Sequence, residues 1–319
     1  MAQGNVGKGW NLVWRHQKIL WWVFIVNFVT AFVATLGPRA VFGKILDHSL
    51  ESQKLANGFD IPAFVELLSK PEVPMTPLIR GSMAMSFVFF VFMLFITGGI
   101  LVAYREDRTL SMGEFFEASG GYFWRMARLV LMSLVPFAIV GAIWAGSSAW
   151  SSILSNDAPN AKTGFYVIVS CGILVTLLIL VTRLWFDVAQ VRAVAQDERG
   201  MFRNLMRSFV ITFKALPSLF WMYLRISLFG WLFLALGVWG WTHLTGNHII
   251  RVFLLWEVVL FAQLLTRLWQ RASSVSWYGA YAEAHPAAVV EFTTPKPAEV
   301  LEPTPQPVSP GPVNPGTTS

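Results

Sequence analysis

Six stretches of this chain, roughly 18–37, 83–104, 129–150, 164–186, 217–240 and 250–270, are long and almost free of charge. About 20 mostly apolar residues cross a hydrocarbon layer of about 30 Å as a helix, and only a helix closes its own backbone hydrogen bonds there. The expected fold is therefore all-α, an integral membrane six-helix bundle. Composition agrees, since 13% of the 319 residues are charged and 55% hydrophobic, where a soluble chain carries about 25% charged residues. The first run reads as a retained signal anchor, because seventeen residues precede it and Pro38 stands where cleavage would be needed.

The basic residues set an orientation. With the N-terminus inside, sixteen Lys and Arg fall in cytoplasmic segments, seven fall on the opposite side, and Arg225 lies within a span. That asymmetry predicts both termini in the cytoplasm of a bacterial inner membrane. It also accounts for the net charge of +6 without invoking nucleic acid. Trp21, Trp22, Trp124, Trp150, Trp185, Trp241 and Trp269 fall near the expected interfaces, where indole rings are enriched.

Around the membrane domain, 18–284, the chain divides simply. Residues 1–17 form a cytoplasmic N-terminal segment. Residues 38–82 form the long outer loop, with one helix expected from the stripe Phe42, Ile45, Leu46 and Leu50 and ended by Gly58, and a second short one capped by Asp60 and carrying Phe64, Val65, Leu67 and Leu68. Residues 285–319 hold nine prolines with little charge and predict a disordered cytoplasmic tail.

The chain repeats itself. Trp14-Arg15, Trp124-Arg125 and Phe213-Lys214 each stand at the cytoplasmic start of an outward-going span. The aromatic ring suits headgroup depth and the cation reaches phosphate, so these six residues are expected interfacial anchors. Returning spans carry AYRE at 103–106, AVAQ at 193–196 and AYAE at 280–283, while VTRLWFD at 181–187 matches LTRLWQR at 265–271. Three diverged helical hairpins are the simplest account. Two connecting segments are amphipathic, one through Met112, Phe115, Phe116, Ser119, Phe123 and Met126, the other through Met201, Phe202, Leu205, Met206, Phe209 and Phe213. Helices lying in the inner headgroup plane, favoured by anionic lipid, are one reading, and connectors folded over the bundle are the other.

The stretch VAQVRAVAQDERGMFRNLMRSFVITFKALPSLFWMYL at 188–224, with GGILVAYRED and FFEASGGYFWRMARL as its counterpart, resembles a group of bacterial membrane proteins. The group includes the membrane domain found beside some glycerophosphoryl diester phosphodiesterases. The resemblance covers most of the membrane region and implies a fold and a location. It does not imply the phosphodiesterase activity, because the soluble catalytic domain of such fusions is absent. Trp14-Arg15-His16 also has the wrong order for its His-Arg pair and lacks acidic partners.

Chemistry-bearing motifs are scarce. His16, His48, His243, His248 and His285 share no helical face with another ligand at metal-binding spacing. No nucleophile elbow, HExxH or phosphate-cradling loop occurs, and Cys171 lies alone in an apolar run. No cofactor or catalytic residue is expected. Gly98-Gly99 reads as a close-packing or bending point. The ridges Ala138, Ala142, Gly146 and Gly141, Ala145, Ala149 suggest close approach of another helix, expected within the bundle.

Intramembrane polar residues are where function is sought first. Two pairs are expected: Arg225 with Glu257, each about 12 Å from its own end of the span, and Asp187 with Arg271, at matching places after the repeated TRLW. The leading reading is a non-enzymatic accessory or scaffold protein engaging lipid or an unidentified protein partner. The alternative is a small transporter or lipid-handling protein built on Arg225 and Glu257, and an intramembrane enzyme ranks third.

Overall fold

The computed structural model describes residues 2–46, 65, 69, 75–157, 162–244 and 249–285. The elements are all helices: α1 (Ala2–Arg15), α2 (Gln17–Leu46), α3 (Met75–Glu106), α4 (Met112–Asp157), α5 (Lys162–Ala195), α6 (Met201–Lys214), α7 (Leu216–His243) and α8 (Ile249–Ala284). Six of them, α2, α3, α4, α5, α7 and α8, are long and apolar enough to cross a membrane, and the chain is a multi-pass membrane protein. They form three hairpins, α2–α3, α4–α5 and α7–α8. The Pro-rich tail and most of the two expected outer-loop helices lie outside the described residues.

The helices outrun the membrane. At 46 residues, α4 is about 69 Å long, more than twice a hydrocarbon layer of about 30 Å. Its first turns are the amphipathic segment beginning at Met112, which continues through Gly120, Gly121 and Pro136 into the span. No separate headgroup-plane helix forms there, because tertiary packing outweighs two weak helix formers. Ser119 and Met126 are fully buried, and Ser111 and Glu114 cap the helix start reciprocally at 2.8 and 3.3 Å. The other amphipathic segment is a discrete helix, α6. It buries Met201, Leu205 and Ile211 together with Asn204, Ser208 and Thr212, and exposes Phe202, Met206, Phe209 and Phe213 beside Arg203 and Lys214. An outer face that mixes aromatic and basic side chains suits a membrane interface.

The N-terminal segment is also a helix. Buried Asn5, Leu12, Val13, His16, Leu20 and Val23 mark one stripe running from α1 into α2. α1 docks along α8, where Trp269 Nε1 donates to Val6 O at 2.9 Å. Trp10 packs on Trp269 with ring centroids 4.8 Å apart. Residues 1–17 are expected from the sequence only as a cytoplasmic segment, and the helix is an addition to that.

Packing is uneven along the bundle. The main core draws on Leu184, Phe186, Ala189, Leu219, Met222 and Ile226, all near the end of the molecule where the basic clusters lie, here termed the basic end. Towards the opposite end α4 and α5 expose Ile139, Ile143, Ile173 and Leu174. The small-residue ridges of α4 are exposed too, and open space surrounds Gly141 and Gly146, so among the described residues no helix fills the expected internal contact. Gly98 and Gly99, by contrast, are in close contact with α4. A Cβ on Gly98 would lie 2.7 Å from Tyr122 Cβ, and one on Gly99 would lie 2.8 Å from Phe115 O and strike Ser119 Oγ.

The repeats have a common geometry. Asp107 and Asp197 each follow the end of a returning helix with φ of 49° and 48°, in the left-handed region that Asp tolerates. Arg15 donates to Asp107 at 2.6 Å and Arg125 donates to Asp197, so two of the three aromatic-basic signals clip a helix end. Burial opposes the Asp197 charge, yet the bond from Arg125 holds its pKa below the ordinary value. The third copy has Ala284 at the Asp place and lacks the clip.

Two substitutions of the same kind should therefore have opposite signs. Gly99→Ala forces backbone and side chain apart and should lower the melting temperature in detergent, at a cost of about 1–3 kcal/mol. Gly120→Ala, with nothing within 4 Å of its Cβ, should raise it through a gain in stability of about 1 kcal/mol. Equal effects would mean that the α3–α4 contact is not the tight one.

Candidate functional site

The duplicated TRLW brings three helices to one polar cavity. Each Trp anchors a flanking helix: Trp185 Nε1 donates to Leu205 O of α6 at 2.8 Å, as Trp269 does to Val6 O of α1. Each Arg stands two residues before its Trp and turns to the other side. Arg183 and Arg267 line the same cavity of about 330 Å³ between α5, α7 and α8, together with Ser227, Gln263, Thr266 and Gln270.

Its polar groups are partly spoken for. Arg183 Nη2 donates to Gln270 Oε1 at 2.8 Å, and Gln270 Nε2 donates to Ser227 Oγ at 2.9 Å. Gln263 Nε2 donates to Gly230 O at 2.8 Å, filling the gap that glycine leaves at the middle of α7. Gly230 is about 21 Å along α7 from Leu216, so polar groups run from the basic end to the midpoint of the helix.

Asp187 stands one turn after Arg183. Its Oδ2 accepts from Tyr223 OH at 3.0 Å and faces Arg267 Nη1 at 3.5 Å. Tyr223 OH also meets Ser274 Oγ at 2.7 Å. Arg267, one turn before the expected partner Arg271, takes the carboxylate directly, and Asp187 acts on Arg271 through its charge. Arg271 lies in the same electrostatic cluster, with Tyr104, but its Nε and Nη1 are buried without a hydrogen-bond partner. Arg183 Nε is likewise buried and unpartnered. Three guanidiniums therefore surround one carboxylate in this layer, leaving two positive charges in excess. An uncompensated buried charge is costly. The arrangement suits an anion.

The expected Arg225–Glu257 pair does not form. The Arg225 guanidinium sits 5.2 Å from the Trp221 ring, one turn back on its own helix. Glu257 is half-buried on α8, with Oε2 lacking a hydrogen-bond partner. The depth arithmetic fails because α7 has 28 residues and is about 42 Å long, so the two charges are separated by about 18 Å along the bundle.

Among the anchors, Trp14, Trp124 and Phe213 are exposed, while Arg15 and Arg125 serve the two Asp clips. Lys214 is exposed at the end of α6. A second buried network joins α5 to α6. Arg192 and Glu198 pair at 3.1 Å, almost fully buried, and Asn204 Nδ2 donates to Ala189 O at 2.8 Å. Sequence reasoning missed Arg267, Tyr223 and Gln270 as site residues, and it read Arg183 and Gln263 as intramembrane polar residues that pair locally near the cytoplasmic edge. The duplicated TRLW could have found Arg267, since a repeated Arg beside a repeated Trp is a paired position.

Among the described residues, no group of three His, Cys, Asp or Glu is placed to hold a metal ion. Comparison with protein-family models, curated proteins and solved structures finds no match.

Removing the carboxylate should be the most damaging single change in this layer. Asp187→Ala leaves Arg267 and Arg271 without a counter-charge and should cost about 3 kcal/mol, read as a lower melting temperature. Asp187→Asn combined with Arg267→Gln should recover part of that loss, whereas independent roles would give additive losses.

Proposed function

We propose that the protein is a lipid-handling integral protein of a bacterial inner membrane, with both termini cytoplasmic. It holds an anionic amphiphile in the cavity between α5, α7 and α8, without catalysing a reaction. The observation that carries this reading is the excess of guanidinium over carboxylate around a cavity at membrane depth. Such charges are retained where they meet a partner.

A second feature argues for an amphiphile over a small soluble anion. On α5 the cavity residue Arg183 continues a face that holds Ile179, Thr176 and Gly172, at spacings of four, three and four. Those three line an apolar trough of about 710 Å³ with Phe137, Val140 and Trp144 of α4. A headgroup on Arg183 and Arg267 would place its tail in this trough, pointing from the basic end towards the middle of the bilayer. That is the orientation of an inner-leaflet lipid when the basic end faces the cytoplasm. A polar cavity of this depth favours lipid handling over a scaffold role, and it moves the site from Arg225 and Glu257 to Arg183, Arg267 and Arg271.

The test is thermal stabilisation of the purified full-length chain by phosphatidylglycerol, phosphatidylcholine or inorganic phosphate. Phosphatidylglycerol should stabilise most, and Arg183→Ala with Arg267→Ala should lower its apparent affinity at least tenfold. Equal stabilisation by phosphate alone would point to a soluble anion, and no stabilisation by any of the three would end the proposal. For topology, a reporter after Ser319 should read cytoplasmic and one near Asn160 external. The reverse at either position would overturn the orientation.

A further inference from the structure

A second cavity, of about 510 Å³, opens where α1 bends into α2. It lies apart from the TRLW layer, between α2, α3 and the start of α4. Its walls are apolar, with Trp22, Val26, Phe92, Ile96, Phe115 and Phe116, while Lys18 and His16 stand at its basic end. The volume is that of a small-molecule site.

Three observations define an occupant. From His16 to Val26 is ten residues, about 15 Å along the helix, which is half of a hydrocarbon layer of about 30 Å. The apolar part thus matches one leaflet in depth. Trp22 and Phe116 are exposed at its rim, so it opens sideways to lipid and not only to water. Third, the His16 side chain is 3% exposed, yet its Nε2 has no hydrogen-bond partner and stands 4.0 Å from Asp107 Oδ1. Asp107 is engaged by Arg15, which leaves the His16 nitrogen and the Lys18 ammonium to meet an anion.

We propose that this cavity is a second lipid site, taking one acyl chain of a phospholipid, with its phosphate held by Lys18 and His16. It is independent of the cavity between α5, α7 and α8, with which it shares no lining residue. Burial holds the empty-site His16 below its ordinary pKa, with Asp107 raising it and Arg15 lowering it. A phosphate at Nε2 favours the protonated ring, so lipid binding takes up a proton and is tighter at pH 6 than at pH 8. The groups facing His16 are Arg15 from α1, Lys18 from α2, the Tyr104 ring from α3 and Asp107 from the α3–α4 connection.

Native mass spectrometry of the full-length protein extracted from phosphatidylglycerol-containing vesicles tests the site. Val26→Trp, which fills the cavity from a half-buried position, should remove one retained phospholipid, and the loss should add to that of Arg183→Ala with Arg267→Ala. Lys18→Gln should lower phosphatidylglycerol retention at this site at least threefold relative to phosphatidylcholine, and His16→Gln should abolish its pH dependence. A photoreactive benzoylphenylalanine replacing Phe92 should label phospholipid, which decides the matter even if Val26→Trp folds poorly. Unchanged lipid number in a folded Val26→Trp protein, or no lipid adduct at position 92, would overturn the proposal.

Discussion

The Asp187 carboxylate is the point on which the membrane half of this structure turns. It is 5% exposed, accepts from Tyr223 on α7 and pairs with Arg267 on α8, so one side chain of α5 fixes the register of three helices. Apolar packing could not do this alone. In lipid, Leu against Leu gains little over Leu against an acyl chain, and helix association rests on close packing and polar contacts. The direct contact of α5 with α7 and α8 is sparse beside that within the hairpins, which makes the polar bridge the specific element there. The same bridge leaves Arg183 and Arg271 underpaired. Structural register and ligand demand thus arise from one cluster.

The basic end carries the folding information and the opposite end carries little. Gly98 and Gly99 admit α4 at van der Waals distance, α1 and α6 are tied down by the two TRLW indoles, and Arg192–Glu198 seals the turn between α5 and α6. Towards the other end, the ridges of α4 face outward and the trough between α4 and α5 is lined by apolar side chains. Such a bundle is held at one end and open at the other. An apolar surface of that kind is stable because lipid covers it.

The sequence made the spans legible because their signal is thermodynamic and local. A run such as 164–186 is apolar whatever its neighbours do, and six such runs became six helices. Boundaries were less legible, since helix continues wherever packing supports it: α4 absorbed its amphipathic leader and α2 ran on through Pro38. The site was half legible. Asp187 and Arg183 were visible as charges in an apolar context, but the choice of Arg267 over Arg271 depends on how α5 and α8 are rotated about their axes. No spacing rule contains that rotation. The Arg225–Glu257 expectation failed for a related reason, because it took hydrocarbon thickness as helix length.

Divergence of the repeats explains why, among the described residues, one carboxylate, Asp187, faces the guanidiniums of this layer. Thr182 to Asp187 and Thr266 to Arg271 are corresponding stretches, and the two helices meet with their Arg side chains lining the same space. Two identical copies would bring either four guanidiniums together or two balanced Arg–Asp sets. The first would repel and the second would neutralise itself. With Asp on one copy and Arg on the other, the layer keeps enough negative charge to join the hairpins and enough positive charge to require an anion. The third copy of the aromatic-basic signal diverged in a complementary way, losing its Asp clip at Ala284 where α8 packs instead along α1. A helical hairpin repeated three times thus yields an asymmetric bundle, in which the Asp187–Arg271 difference lies beside the cavity and the loss of the Asp clip lies at the far end of α8.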